Sequence, residues 1–99
     1  MIKNGMRPVH PGEVLREDFL IPLGMSANAL AKALNVPAPR INDIVRERRA
    51  TSADTAMRLA RYFGDDAPSW LNFQAAHDLR IAEIENAKRV EREITSAGT

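Results

Sequence analysis

The chain has 99 residues, 44% of them apolar and 27% charged, with a net charge of +1; this is one domain's worth of sequence with enough apolar side chains for a core. It has no cysteine, which excludes a disulfide framework, a cysteine-ligated zinc site and thiol chemistry, and neither an export signal at Met1–Arg7 nor a membrane-length apolar run is visible, so a cytoplasmic setting without a membrane partner is expected. Charge is unevenly placed: residues 1–25 balance, residues 26–63 carry seven basic side chains against three acidic, and residues 64–99 carry four basic against seven acidic, a basic middle suited to an anionic partner.

The periodicity predicts five helices and no strand. Met1–His10 reads as irregular and leads into Pro11-Gly12. The first helix is expected from about Glu13 to Leu20, with Glu13 and Glu17 near its positive end, Leu15 and Phe19 on one face, and Pro22 and Gly24 ending it. Ser26 caps a second helix whose buried face is Ala27, Leu30, Ala31 and Leu34. Asn35 tolerates the left-handed conformation of a sharp turn, and Val36 plugs it. Pro39 suits the first turn of a third helix, with Ile41, Ile44 and Val45 as its apolar stripe. Arg46–Thr51 is a basic connection. Ser52 caps a fourth helix with Ala56, Leu59, Ala60 and Phe63 inward, and Gly64 stops it. After a turn at Asp65–Pro68, a long fifth helix runs from about Ser69 to Arg92, apolar early (Trp70, Leu71, Phe73, Leu79) and mixed with Glu, Lys and Arg later. The whole reads as one domain over residues 1–99, with a core unit at 13–64 and a dimerisation helix at about 69–92.

The informative stretch is Ala27–Arg46. A small residue, Ala31, stands where two short helices would cross. A turn residue, Asn35, comes four later, and Ile41 and Ile44 come ten and thirteen later. Together these make a helix-turn-helix, whose second helix enters the DNA major groove. On that reading Pro39, Arg40, Asn42 and Asp43 face the bases: arginine bridges guanine O6 and N7, and asparagine bridges adenine N6 and N7. Arg46, Arg48 and Arg49 beyond the helix end, and Ser26, Asn28 and Lys32 at the second helix, are assigned to phosphate. Arg58 and Arg61 read as plain surface charges. Trp70, Leu71, Phe73 and Leu79 are assigned to a dimer interface, since two reading helices on a two-fold axis would double the contacts of so small a domain.

His10 and His77 are far apart in the sequence, with no HExxH spacing; His77 is read as a packed or interface histidine. No catalytic triad, glycine-rich phosphate loop or paired-carboxylate site is visible, and no metal or cofactor is expected.

Residues 13–64 resemble the Cro/CI-like, or XRE-type, helix-turn-helix domain, which implies an all-α, five-helix, lambda-repressor-like fold. Asn35 stands where that family most often has glycine, and Pro37-Ala38-Pro39 where it commonly has serine or threonine. Over about residues 8–80 the chain is similar to HigA-type antitoxins, through His10-Pro11-Gly12-Glu13 leading into LREDFLIPLGMS, then VPAPRINDIVRERRATSADTAMRLARYFG, then Trp70 opening the last helix. The resemblance implies a homodimer that represses its own operon; a two-fold dimer in turn expects an inverted-repeat operator, and no enzyme is expected. It also implies that the dimer neutralises a HigB-like toxin, a RelE-like ribosome-dependent mRNA endonuclease. A stand-alone dimeric repressor and a non-DNA interaction module remain the other readings of the same residues.

Overall fold

The computed structural model describes residues 7–98; the part of the opening segment before Arg7 lies outside them. Helix α1 is built from three pieces that follow without a break: an α-helical turn Pro11–Val14, a π-helical stretch Leu15–Leu20 and a last α-helical turn Ile21–Leu23. It starts earlier than Glu13 because His10 acts as the cap, its Nδ1 accepting the Gly12 N–H at 2.8 Å, with Pro11 in the first position, where no N–H is needed. It also runs through Pro22 instead of ending there. In the π-helical stretch the ladder is already shifted by one residue, with Ile21 N–H reaching Arg16 O. This wider turn relieves the clash a proline ring makes four residues back. The stop is Gly24 alone, at φ 61°.

Helices α2 (Ala27–Leu34), α3 (Ala38–Val45) and α4 (Ala53–Phe63) follow. Ser26 and Ser52 cap α2 and α4 by accepting the N–H groups of Ala29 and Thr55. Gly64, left-handed at φ 76°, ends α4. Helix α5 spans Ala67–Glu93. Asp66 caps it by accepting Ser69 N–H at 2.8 Å, so Ala67 and Pro68 form its first turn and not the preceding loop. There is no strand among the described residues.

The core gathers Leu15 and Leu20 from α1, Leu30, Ala31 and Leu34 from α2, Ile41 and Ile44 from α3, Ala56, Leu59 and Ala60 from α4, and Trp70 from α5. Those from α2, α3 and α4 lie on the faces the periodicity selects. Phe19 is wedged between Phe63 and Trp70, at ring-centroid distances of 4.5 and 5.4 Å. Trp70 is therefore an interior residue, 2% exposed, with its indole N–H on Asp65 Oδ1. That corrects its assignment to a dimer interface: the indole closes the monomer's own core and is not available to a partner. Leu71 is half-buried against the core, whereas Phe73 and Leu79 stand 42% and 62% exposed.

Two contacts fix α1 against the far end of α3. An ideal Cβ on Gly12 would fall 1.7 Å from the Ile44 carbonyl oxygen, so only glycine lets the first turn of α1 lie on that backbone. The Arg16 guanidinium donates to the Val45 carbonyl and pairs with Glu47 at 3.3 Å, answering carbonyls that the end of α3 leaves open. Helix α5 is tied to both neighbours. The His10 and His77 rings meet edge to face at 4.9 Å, and buried Gln74 accepts the Thr51 N–H at 2.8 Å while donating to Asp78 at 3.0 Å. Beyond Ile81 nearly every side chain of α5 is exposed, and the molecule measures 52 × 23 × 23 Å because this helix outruns the bundle.

Gly12→Ala should lower stability by about 3 kcal/mol, since neither backbone can yield a few ångströms without breaking the core, and thermal unfolding should fall by more than ten degrees. Gly64→Ala, at a left-handed position with open space around it, should cost only about 1 kcal/mol. A smaller loss at Gly12 than at Gly64 would refute the close contact.

His10 adds a pH dependence. Burial, then the neighbouring His77, hold its pKa below the usual histidine value, against the opposing pull of Glu47 and Asp78. The unfolded chain then binds the extra proton first, so stability is full above the ordinary histidine pKa and falls as pH drops below it. Protonation at Nδ1 would also remove the acceptor for Gly12 N–H. His10→Asn keeps a capping acceptor and should flatten the stability profile between about pH 7 and pH 5, measured by denaturant unfolding across that range.

Candidate nucleic-acid interface

The geometry of the α2–α3 pair follows from five buried side chains and one turn. Ala31 is 1% exposed at the crossing, where a larger side chain would part the helices. Leu30, Leu34, Ile41 and Ile44 fill the space on either side. Asn35 takes φ 57°, ψ 48°, and the Val36 N–H returns to Ala31 O at 3.0 Å, closing the turn. Pro37 sits at the cap of α3 in extended conformation, and Pro39 falls in its first turn. This end has no side-chain cap; pyrrolidine rings with fixed φ hold it in place of a hydroxyl.

Among the sequence-assigned DNA residues, three pairs are joined. Asn42 Nδ2 donates to Asn28 Oδ1 at 2.7 Å and to Ala38 O at 2.9 Å, linking the polar faces of α3 and α2. Lys32, one turn beyond Asn28, is exposed on the same face of α2. Asp43 pairs with Arg48 at 3.1 Å and with Arg49 at 3.9 Å. Pro39 and Arg46 are exposed. The Ser26 hydroxyl is spent as an acceptor within α2 and keeps its own proton to donate.

Arg40 differs from the expectation of a fully outward residue. It lies on the flank of α3 towards α4, where its Nη1 bonds Asp54 Oδ2 at 2.9 Å. A notch of about 420 Å³ opens there, lined by Arg40, Arg49, Ala50, Ser52, Asp54 and Thr55. Arg58 is not the plain surface charge its sequence context suggests. Its Nε shares Asp54 Oδ2 at 2.9 Å and its Nη1 donates to the Leu34 carbonyl at 2.9 Å, so it closes the end of α2 from α4. The Asp54 carboxyl is held below the usual carboxylate range, first by Arg58 and then by Arg40. Arg61 is exposed, as a surface charge would be.

Sequence reasoning missed Arg16, Arg58, Asp54 and Gly12, each of which holds part of this unit in place. The Asp54–Arg58 pair is local, at i,i+4, but the contacts that hold the unit, from Arg16 to the Val45 carbonyl, Arg58 to the Leu34 carbonyl, Asp54 to Arg40 and Gly12 to Ile44, join residues 14 or more apart. Among the described residues, no group of three or more His, Cys, Asp or Glu could hold a metal, and no helix is long and apolar enough to cross a membrane.

A polar face on a short helix, a basic margin and a notch beside it make a surface for a nucleic-acid duplex. The fold is shared with known proteins. A helix-turn-helix family model matches residues 15–65. Virulence-associated protein I of Dichelobacter nodosus is 64% identical over 81 residues, covering 82% of this chain and 75% of that protein. The solved structure of Pseudomonas aeruginosa antitoxin HigA with the higBA promoter superposes with a TM-score of 0.89 at 50% identity, over 92% of this chain and 99% of that one. That of antitoxin GraA in complex with its operator gives a TM-score of 0.90 at 45% identity, over 100% of both chains.

Proposed function

The chain belongs to the helix-turn-helix family, in its HigA-type antitoxin branch, and from that premise we propose that it works as a two-fold dimer on the operator of its own operon. It represses that operon and restrains a HigB-like toxin, a RelE-like mRNA-cleaving enzyme, in the cytoplasm. Its family is one of DNA-binding proteins, not of enzymes. The observation that carries the reading is the continuous polar face of α3, α2 and the following loop, set on helices whose ends are pinned by Gly12, Arg16 and Arg58. A reading surface needs such rigidity, because base contacts reward only side chains held in register.

In this reading Asn42 and Arg40 meet base edges, Pro39 offers an apolar approach to thymine methyls, and Asp43 stands beside cytosine amino groups. Arg46, Arg48, Arg49, Lys32, Asn28 and Ser26 lie against phosphates. The dimer forms through α5, where Phe73 and Leu79 remain exposed on the side chains' outer faces and Leu71 supports them from the core margin. The operator is then an inverted repeat with half-sites about 34–36 Å apart, one helical turn.

Fluorescence anisotropy tests the DNA reading, using a duplex from the promoter region upstream of the gene against a scrambled duplex. Asn42→Ala should cost roughly 1–3 kcal/mol on the promoter duplex and much less on the scrambled one. Arg48→Ala and Arg49→Ala should weaken both duplexes alike and each flatten the salt dependence by about one unit of slope. Equal losses on both duplexes for Asn42→Ala would move that residue to the phosphate class. Failure of the wild type to distinguish the duplexes would refute operator binding.

Sedimentation tests the dimer. Leu79→Glu should convert a micromolar dimer to a monomer whose affinity for a full operator falls far below that of the parent. A wild-type monomer with full operator affinity would overturn it. Co-expression with the product of the adjacent gene, followed by pull-down, tests the toxin partner.

A further inference from the structure

The notch between α3 and α4 holds an acidic side chain where an anionic duplex is to be bound. Asp54 is 57% exposed in its side chain, and one of its oxygens, Oδ2, takes both Arg40 Nη1 and Arg58 Nε at 2.9 Å. Arg58 in turn is fastened to the Leu34 carbonyl. A chain of polar contacts thus runs from the end of α2 through Arg58 and Asp54 to a guanidinium on the reading helix. We propose that Asp54 is a positioning residue for sequence discrimination: it holds the Arg40 guanidinium to one place at the edge of α3, without itself touching a base.

The physical argument is one of competition. An arginine side chain loses much rotamer freedom when it is held, and beside a duplex the nearest attractive groups are phosphates, present in every sequence. A guanidinium free to swing would pair with whichever phosphate came closest and add equally to all DNA. Tied at one Nη to a carboxylate that is itself anchored, it keeps its remaining N–H groups for a partner whose position matches, and bidentate contacts carry most discrimination. The charge of Asp54 also raises the cost of a phosphate entering the notch out of register. Arg58 alone could hold Asp54 in place, so the second bond from Arg40 is not needed to keep α4 folded. The carboxylate stays ionised in the working range, since both arginines hold its pKa down.

The inference rests on the DNA reading above, and one experiment separates the two. Dissociation constants for the promoter duplex and the scrambled duplex are measured on wild type, Asp54→Asn, Arg40→Ala and the double variant at fixed salt. Only the ratio of the two constants is compared, so a partly unfolded fraction cancels. Asp54→Asn should lower the ratio about tenfold, with scrambled binding unchanged or tighter. In the Arg40→Ala background it should leave the ratio unchanged, as expected for two residues acting as one unit. An undiminished ratio in Asp54→Asn, the same fall in both backgrounds, or an equal gain on both duplexes overturns the proposal; the last would make Asp54 a general repellent. A wild-type ratio near one sinks the DNA reading instead.

Discussion

The Ile44 carbonyl lies where a side chain at residue 12 would have to be, and much of the molecule's order follows from that exclusion. With no Cβ at Gly12, the first turn of α1 rests on the last turn of α3, and Arg16, one turn further on, reaches the Val45 carbonyl. The reading helix is only eight residues long, too short to hold its own shape in water. Its N-terminal end is set by two prolines and the turn at Asn35, and its C-terminal end by α1. His10 joins the same point to α5 by capping α1 with one ring nitrogen while its ring packs on His77. A backbone-to-backbone contact that admits no side chain thus locates three helices at once.

The polar face that results is closed upon itself before any duplex arrives. Asn42 holds Asn28, Asp43 holds Arg48 and lies near Arg49, and Asp54 holds Arg40 and Arg58. The exposed pairs of Asp43 with Arg48 and Arg49 are individually worth little in water, so exchanging them for phosphates costs little, whereas Asp54, held by Arg58 as well, keeps Arg40 in place. They also explain how a chain of net charge +1 can present a basic face. The acidic partners neutralise it at a distance. Binding built this way should be strongly dependent on salt and on register, and weak on DNA that meets the arginines out of place.

How much of this was legible in the sequence depended on the range of the interaction. The apolar periods of α2, α3 and α4, the caps Ser26 and Ser52, the left-handed Asn35 and the stop at Gly64 are local, and all are found where the pattern put them. The first helix departs from its periodicity at both ends: a histidine cap brings Pro11 into its first turn, and a π-helical stretch carries it through Pro22. Trp70 was assigned to an interface because an aromatic beyond a four-helix unit looks spare. Its partners, Phe19 and Asp65, come from the first helix, more than fifty residues earlier, and from the turn before α5. Arg58 looked like a surface charge since nothing local to α4 says that its guanidinium reaches the Leu34 carbonyl. The HPGE sequence was recognisable by resemblance, yet its physical reason, one cap and one forbidden Cβ, needs the packing of α1 on α3 to be seen.

Helix α5 shows the same division along a single element. Its first half is consumed by the monomer: Trp70 enters the core, Gln74 bridges the start of α4, and His77 packs on the cap of α1. Its second half touches almost nothing, although it keeps Ile84 and Val90 exposed at 59% and 52%. A 27-residue helix extends about 40 Å, and its Ala, Glu, Lys and Arg residues favour the helix, although starting one in water is costly. The anchored half supplies the nucleus, so the bare half need only propagate from an existing turn. That makes the projecting end inexpensive to keep helical and leaves its apolar positions unburied by the monomer, beside the two exposed residues, Phe73 and Leu79, that the bundle does not use. Up to Ile81 the helix thus carries buried and exposed apolar positions on different faces, and beyond it almost every position is exposed.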